Sequence, residues 1–466
     1  MRTGLKPTRA SYPCQRAAAA NVSALLGAAT IPPLLSRLSG HLKLLQTRKR
    51  IVIAIVLFAA FGLVAFVGLS SRTVLPLADG VLGGTTLSNL AITLDQHNLA
   101  GTTPSDIFAV QDFESVETGF GALLRLMKER GLAFYSLFSA NDVVLIKVNS
   151  QWNERGGTNT DLVRSVIEAI HDHPDGFRGE IIVADNGQGQ FGSGRAGGSF
   201  DWKYNNAMDR TQSIQEVVDS FSTDYEVSAY LWDRITTNRV LEYSDDDYED
   251  GYVLGEAPSP ATGITVSYPK FKTVYGTHVS FRKGIWNPAT GDYDYERLKV
   301  INLPVLKTHM IYEVTGALKH YMGVVSDKLT RHNAHRSVGK GGMGTQMAES
   351  RTPVLNILDA IWINAQPKGG PSTSYGEAIK TNIIATSRDP LAIDYWAVRE
   401  ILIPAASELG YTKSSIVDPD STARGSFGDW LRLSMHELLR GGYSYTIDLD
   451  SINVSVTSPE KLQLDL

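Results

Sequence analysis

An uninterrupted apolar run, Ile51 to Leu69, constrains this chain more than any other feature. It is nineteen residues long and carries no charge. At about 1.5 Å per residue, a helix of that length nearly crosses a hydrocarbon core of roughly 30 Å, whereas a helix buried in a globular core is shorter or striped with polar residues. The triplet Arg48-Lys49-Arg50 stands directly before it. Positive charge gathers on the cytoplasmic side of membrane helices, which predicts a cytoplasmic N-terminus and a main domain on the far side of the cell membrane. The alternative is a secreted protein with a cleaved signal, whose apolar stretch is usually about 7 to 15 residues long and ends in small residues. The expected partition is a basic cytoplasmic segment at 1–50, mostly disordered, a transmembrane helix at 51–69, a linker at 70–104 and a soluble domain at 105–466. The lipid bilayer is then one partner.

Charge sharpens this division. Residues 1–50 hold nine of the 44 Lys and Arg and no acid, which leaves 35 basic against 49 acidic residues in the remainder. So acidic a body lacks the basic face that displaces counterions from a phosphate backbone, so nucleic acid is not an expected partner. The single cysteine, Cys14, precedes the apolar run. The soluble part can therefore form neither an internal disulfide nor a cysteine-ligated iron–sulfur cluster.

The remainder alternates short apolar runs with amphipathic stretches, the rhythm of a layered α/β domain. Val143 to Ile146 reads as a strand buried on both faces. Thr160 is expected to cap a helix with Leu162, Val163, Val166, Ile167 and Ile170 on one side, and Glu180 to Asp185 is the next strand. The rhythm returns with a strand at 300–303, a helix near 313–322, an apolar run at 354–361, a strand at 382–385 and helices at 391–401 and 430–439. The tail at 445–456 alternates like an edge strand. The predicted fold is α/β, a mostly parallel sheet flanked by helices, with an irregular insertion at about 192–291 that contains hairpins.

In parallel α/β sheets, ligands sit beyond the carboxyl ends of the strands. The polar residues there are Lys147 and Asn149, then Asp185, then Lys307 and His309. Thr315 and Lys319 lie four apart on the expected helix and would share a face. These residues predict a cationic pocket for a small anionic ligand, with His309, Lys307 and Asp185 as the catalytic set and His309 as the proton carrier, since imidazole titrates nearest neutral pH. Lys147, Asn149, Thr315, Lys319 and His332 would bind the substrate. The plainer alternative is that the lysines pair with acids at the sheet rim.

Asp185, Asp359 and Asp394 are candidate ligands for a divalent metal, whereas Asp389 and Asp394 can equally cap and flank a helix beginning at Pro390. The glycine-rich and basic segment 326–345, with Lys328, Arg331, His332 and His335, reads as a mobile lid over an anion. It is not a phosphate-binding P-loop, because Gly341 rather than Ser or Thr follows Lys340. The acidic run 245–251 lacks the spacing of a calcium loop.

Taken together, Val144-Leu-Ile-Lys-Val-Asn149, Ile182-Val-Ala-Asp-Asn186, Ile301-Asn-Leu-Pro-Val-Leu-Lys-Thr-His309, Thr315-Gly-Ala-Leu-Lys319 and Ser387-Arg-Asp-Pro-Leu-Ala-Ile-Asp394 resemble the domain of unknown function 362 family. The order holds from about residue 107 to 401. That family often has Pro where Val148 stands and Asn where His320 stands. Many members look like redox proteins with an appended ferredoxin-like domain, which this chain has no cysteines to build. The resemblance implies a fold and a residue set but no reaction. The resulting expectation is a membrane-anchored extracytoplasmic protein that is an enzyme for a small anionic substrate, with a non-catalytic binding module for an anionic envelope ligand or a structural envelope protein as alternatives.

Overall fold

In a computed structural model of the protein, residues 104–188, 205–244, 247–412 and 414–464 are described, and the apolar run at 51–69 lies outside them. Among the described residues no helix is long and apolar enough to cross a membrane.

Strands form where β-branched and aliphatic residues run unbroken, because side chains that alternate across a pleat can then be buried on both faces. In chain order the first part gives β1 (Ser105–Gln111), α1 (Val116–Glu129), β2 (Val143–Lys147), α2 (Thr160–His171), β3 (Glu180–Asp185), α3 (Ile214–Phe221) and β4 (Val227–Leu231). A meander follows: β5 (Gly251–Leu254), β6 (Ser267–Lys272), β7 (His278–Ser280), β8 (Gly284–Asn287) and β9 (Asp292–Asp294). Then come β10 (Leu298–Asn302), β11 (Val305–His309), β12 (Glu313–Thr315), α4 (Asn333–Ser337), α5 (Gly342–Glu349), β13 (Leu355–Asn364), β14 (Ile379–Ser387), α6 (Pro390–Ala397), α7 (Ile403–Glu408), α8 (Phe427–Arg440) and β15 (Ile452–Thr457).

The main sheet runs β15-β1-β14-β13-β10-β2-β3-β4, with β11 and β12 branching from β13. From β13 to β4 every neighbour is parallel. The strands β1, β14 and β13 pair antiparallel, and β15 closes the edge parallel to β1. The fold is therefore mixed α/β around a large, mostly parallel sheet. Val143 and Leu145 of β2 enter one core while Val144 and Ile146 enter the other, and Ile182 and Ala184 against Ile181 and Val183 repeat this in β3. Helices α1 to α3 cover one face. The β5–β9 sheet and the C-terminal helices cover the other.

Several local expectations fail for identifiable reasons. The cap of α2 is Asn159, whose side-chain oxygen accepts from the backbone N–H groups of Asp161 and Leu162, and Thr160 is the first helical residue. The expected helix at 313–322 is instead the short strand β12 and a 3₁₀ turn, Lys319–Gly323, entered through Glu313 at φ +60°. Within the expected insertion, α3 and β4 continue the main sheet, and the β5–β9 meander makes a second, antiparallel sheet. Much of the glycine-rich segment expected to be a lid is buried, with Lys328, Arg331, Arg336 and Lys340 exposed. A Cβ on Gly344 would stand 2.2 Å from the Ser434 carbonyl oxygen of α8. Gly341 and Gly344 thus allow this segment to approach α8 closely.

The topology has one functional consequence. The chain proceeds outward from β2 to β3 and β4, then returns to the opposite side of β2 as β10. Loops leaving β2 and β10 part at their carboxyl ends, and a crevice forms where they diverge.

Candidate functional site

Three structural units meet at that crevice. The loop after β2 supplies Asn149 and Gln151, and β2 itself ends in Lys147. The β11–β12 hairpin supplies Lys307, His309 and Thr315, and the 3₁₀ turn supplies Lys319 and His320. With Asp185 at the end of β3, these side chains line a cavity of about 30 Å³. That volume holds two or three waters, or one small oxyanion. Lys147, Asn149, Asp185, Lys307, His309, Thr315 and Lys319 are thus brought together, but not by the expected helix. In the hairpin register Lys307 stands directly opposite Thr315, and His309 follows two residues later on the same face.

The charges are buried. Lys147, Asp185, Lys307 and His309 are each at most 2% exposed, and Lys319 is 6% exposed. Lys147 Nζ pairs with Asp185 Oδ1 at 2.8 Å, and Asp185 Oδ2 accepts from Ser150 N at 2.8 Å and Ser150 Oγ at 2.9 Å. Burial lowers the Lys147 ammonium from its ordinary range, against the opposing pull of Asp185. Lys307 Nζ donates to the Gly156 carbonyl oxygen. Lys319 Nζ lies 5.8 Å from the centre of the Tyr312 ring. Gly323 passes against the Lys147–Asp185 pair so closely that a Cβ there would lie 2.2 Å from Asp185 Oδ1.

Unpaired polar atoms also face this space. Among the described residues the buried Thr315 Oγ1, Gln151 Nε2, Gln188 Oε1 and His320 Nε2 have no hydrogen-bond partner, and all four residues line the cavity. Each such atom costs about 1–3 kcal/mol unless a ligand or water satisfies it.

The histidines are set differently from one another. His309 Nδ1 accepts from the backbone N–H groups of Ile311 and Tyr312, each at 3.1 Å. The ring therefore carries its proton on Nε2. Burial, then the charges of Lys319, His335 and Lys307, lower its pKa well below the ordinary value. His320 Nδ1 meets Asn302 Oδ1 at 2.7 Å, and burial likewise lowers its pKa well below the ordinary value.

Three sequence candidates do not reach the cavity. His332 is 37% exposed at its side chain, and its Nδ1 lies 3.2 Å from Asp327 Oδ2. Asp359 accepts from Asn159 N at 2.9 Å, Asn206 Nδ2 at 3.1 Å and Ile361 N at 3.2 Å, and burial pushes its pKa up to about 6. Asp394 accepts from Ala317 N and Leu318 N and is pushed by burial up to about 7. Its carboxylate orients the turn that carries Lys319 rather than meeting a ligand. Asp389 caps α6. Among the described residues no three His, Cys, Asp or Glu side chains group as a metal site, so Asp185, Asp359 and Asp394 do not converge.

Sequence reasoning passed over Gln151, Gln188 and His335 as site residues, although all three line the cavity. His335 was legible only as part of a basic loop, and its partner Asp327 carried no signal of its own. A larger cavity of about 550 Å³ lies at the amino ends of β1, β10 and β13 and, of the residues singled out in the sequence, is lined by the helix-capping Asp389. Its Arg351 is consumed by the carbonyl oxygens of Phe281, Arg282, Tyr295 and Leu298.

Residues 293–399 match a family described as a domain of unknown function (DUF362). Over 130 residues the chain is 31% identical to a thylakoid-associated protein of Synechocystis sp., a match covering 25% of this chain and 39% of that protein. No solved structure matches. The family match is shorter than the 107–401 span of shared motifs; it includes Lys307, His309, Thr315, Lys319 and His335, while Lys147, Asn149 and Asp185 precede it. Lys307, the hairpin histidine and the Thr-Gly-Ala-Leu-Lys turn thus fall together within the stretch, residues 293–399, that is similar to the domain of unknown function 362 family.

Proposed function

We propose that the cavity receives the oxyanion end, a phosphate or carboxylate, of a small molecule, and that the protein is an enzyme acting on that molecule. One observation carries this. Lys147, Lys307 and Lys319 line a space of about 30 Å³ together with Asp185, and unpaired polar atoms of Thr315, Gln151, Gln188 and His320 belong to the same lining. Buried polar atoms without a partner are costly unless a ligand or water satisfies them. Lys307, Lys319 and Thr315 hold the oxygens. Asp185 fixes Lys147, and His309 donates Nε2–H as a neutral hydrogen-bond donor. The remainder of the molecule extends past Asn149 and Gln151, since the cavity accommodates only a head group.

The two backbone donors on His309 Nδ1 favour a second reading, a binding module without turnover. They hold His309 as a donor and oppose the protonation that acid–base work at that ring requires. The basic residues before the apolar run support attachment to a membrane through residues 51–69, with the main domain outside, and the Synechocystis relative is itself described as thylakoid-associated.

Thermal unfolding of the purified full-length chain in inorganic phosphate and in acetate tests the site. A ligand present at 100 times its Kd stabilises by about 2.7 kcal/mol. Phosphate, acetate or both should raise the midpoint, and Lys307→Met, Lys319→Met and Thr315→Val should reduce the rise. An equal rise in all variants, or none in the parent chain, overturns the assignment.

A further inference from the structure

Next to this cavity lies a charge system that the anion site does not use. His335 lines the cavity and is 3% exposed. Its Nδ1 lies 2.6 Å from Asp327 Oδ2, and its backbone N–H donates to Asp327 Oδ1 at 3.3 Å. The same Oδ2 is 3.2 Å from Nδ1 of His332, which is 37% exposed at its side chain. One buried carboxylate thus joins a cavity imidazole to a solvent-facing one. Burial alone would raise the Asp327 carboxyl, but the two imidazoles outweigh it and hold the group well below the usual carboxylate range. Asp327 is therefore a carboxylate, and each Nδ1 beside it bears a proton. For neutral His335 this leaves the lone pair on Nε2, the opposite tautomer to His309.

The backbone is arranged to keep this contact. Arg331 and His332 both have positive φ, +53° and +62°. Two successive side-chain-bearing residues in the left-handed region cost roughly 1–2 kcal/mol each. Such strain persists only where the surrounding structure imposes it, and it gathers at functional sites. Here it accompanies the return of the chain, in which His332 N donates to Asp327 O at 2.7 Å. Tyr312 closes the other side, its hydroxyl donating to the His335 carbonyl oxygen.

We propose that His335, rather than His309, is the proton-transfer residue of the cavity, that Asp327 is its positioning residue, and that His332 tunes it from the surface. This rests on the anion-site reading only in taking the cavity as the place where the ligand sits. In the step, the O–H bond of a protonated ligand oxygen breaks and an Nε2–H bond forms on His335. The ligand gains one negative charge beside Lys307 and Lys319, and Asp327 stabilises the imidazolium. His332 competes for the same Oδ2. A hydrogen bond from His332 to that oxygen draws on the charge that Asp327 offers His335. His309 interacts electrostatically with His335, Tyr312 touches its carbonyl, and the other titratable groups lining the same cavity are Lys147, Asp185, Lys307, Lys319 and His320.

The test is histidine-ring ¹⁵N–¹H correlation spectroscopy of the full-length chain across pH, without and then with inorganic phosphate. Without phosphate, His335 should show the Nδ1–H tautomer and His309 the Nε2–H tautomer. In His332→Gln, a half-exposed site that leaves the fold intact, the His335 titration should move to higher pH. Asp327→Asn should abolish the tautomer preference of His335. An Nε2–H tautomer at His335, or a titration unmoved by His332→Gln, overturns the proposal whether or not Asp327→Asn folds. With phosphate, the His335 ring signals should shift. Phosphate that stabilises the chain without touching His335 also overturns it. Phosphate that fails to stabilise the chain counts against phosphate at the anion site alone, and the spectra without phosphate still decide the dyad.

Discussion

Replacing Gly323 with alanine measures how tightly the Lys147–Asp185 pair is held. The added Cβ would lie 2.2 Å from Asp185 Oδ1 and 2.3 Å from Lys147 Nζ. Non-bonded atoms settle at roughly 3.5 Å, so each group must retreat by about 1 Å. Asp185 is not free to swing, because Ser150 holds its other oxygen through two hydrogen bonds. Stretching a 2.8 Å pair by about 1 Å at an effective dielectric near 20 loses about 1.5 kcal/mol. Overpacking adds about 1–3 kcal/mol. The reduced freedom of the unfolded alanine chain returns about 0.4–1 kcal/mol, for a net loss of about 1.5–4 kcal/mol. Gly121 is the control. It lies in α1 with nothing within 4 Å of its would-be Cβ, and alanine there should stabilise by about 0.5–1 kcal/mol. Urea unfolding at neutral pH, with the slope shared between variants, gives both values. A Gly323→Ala loss below about 1 kcal/mol would refute the reasoning, since the pair would then relax without resistance.

The remaining predictions concern pH and the membrane. Asp394 is raised in the folded state to about 7 from 3.8. Between those values the native chain keeps a proton that the unfolded chain has lost, so this group's contribution is greatest below pH ~4 and falls as pH rises to about 7. Asp394→Asn should therefore flatten the slope of stability between pH 4 and 7 by up to about 1.4 kcal/mol per unit, whatever its absolute cost, and an unchanged slope in urea titrations would remove Asp394 as its source. An alkaline carbonate wash should leave the full-length chain in the membrane pellet, and its release into the supernatant would contradict anchoring through residues 51–69.

Much of the fold was legible because strands buried on both faces need unbroken apolar runs, and those at β2, β3 and β10 have them. The site residues on their carboxyl ends followed from topology alone, which is why Lys147, Asp185 and Lys307 could be grouped before any distance was known. What could not be read was the direction in which each polar group is satisfied. Asp359 and Asp394 adjoin apolar segments just as Asp185 does, yet their oxygens are taken by local backbone N–H groups. Spacing carries no record of that. Glycine was ambiguous for a related reason. In the segment 339–344 it permits α5 to meet α8, and such a glycine has the same letter as one that permits motion.

The hairpin shows why a correct grouping can rest on a mistaken element. Thr315 and Lys319 were placed together by an assumed helical face, whereas Thr315 reaches the cavity through its register opposite Lys307 and Lys319 through a separate 3₁₀ turn. The same tight turn between β11 and β12 aims two N–H groups at His309 Nδ1 and so decides the tautomer of that ring. A histidine whose lone pair is consumed by its own turn is a fixed donor. The proton transfer proposed for the cavity calls for a ring oriented the other way, and among the residues lining this cavity His335 is held so by a carboxylate.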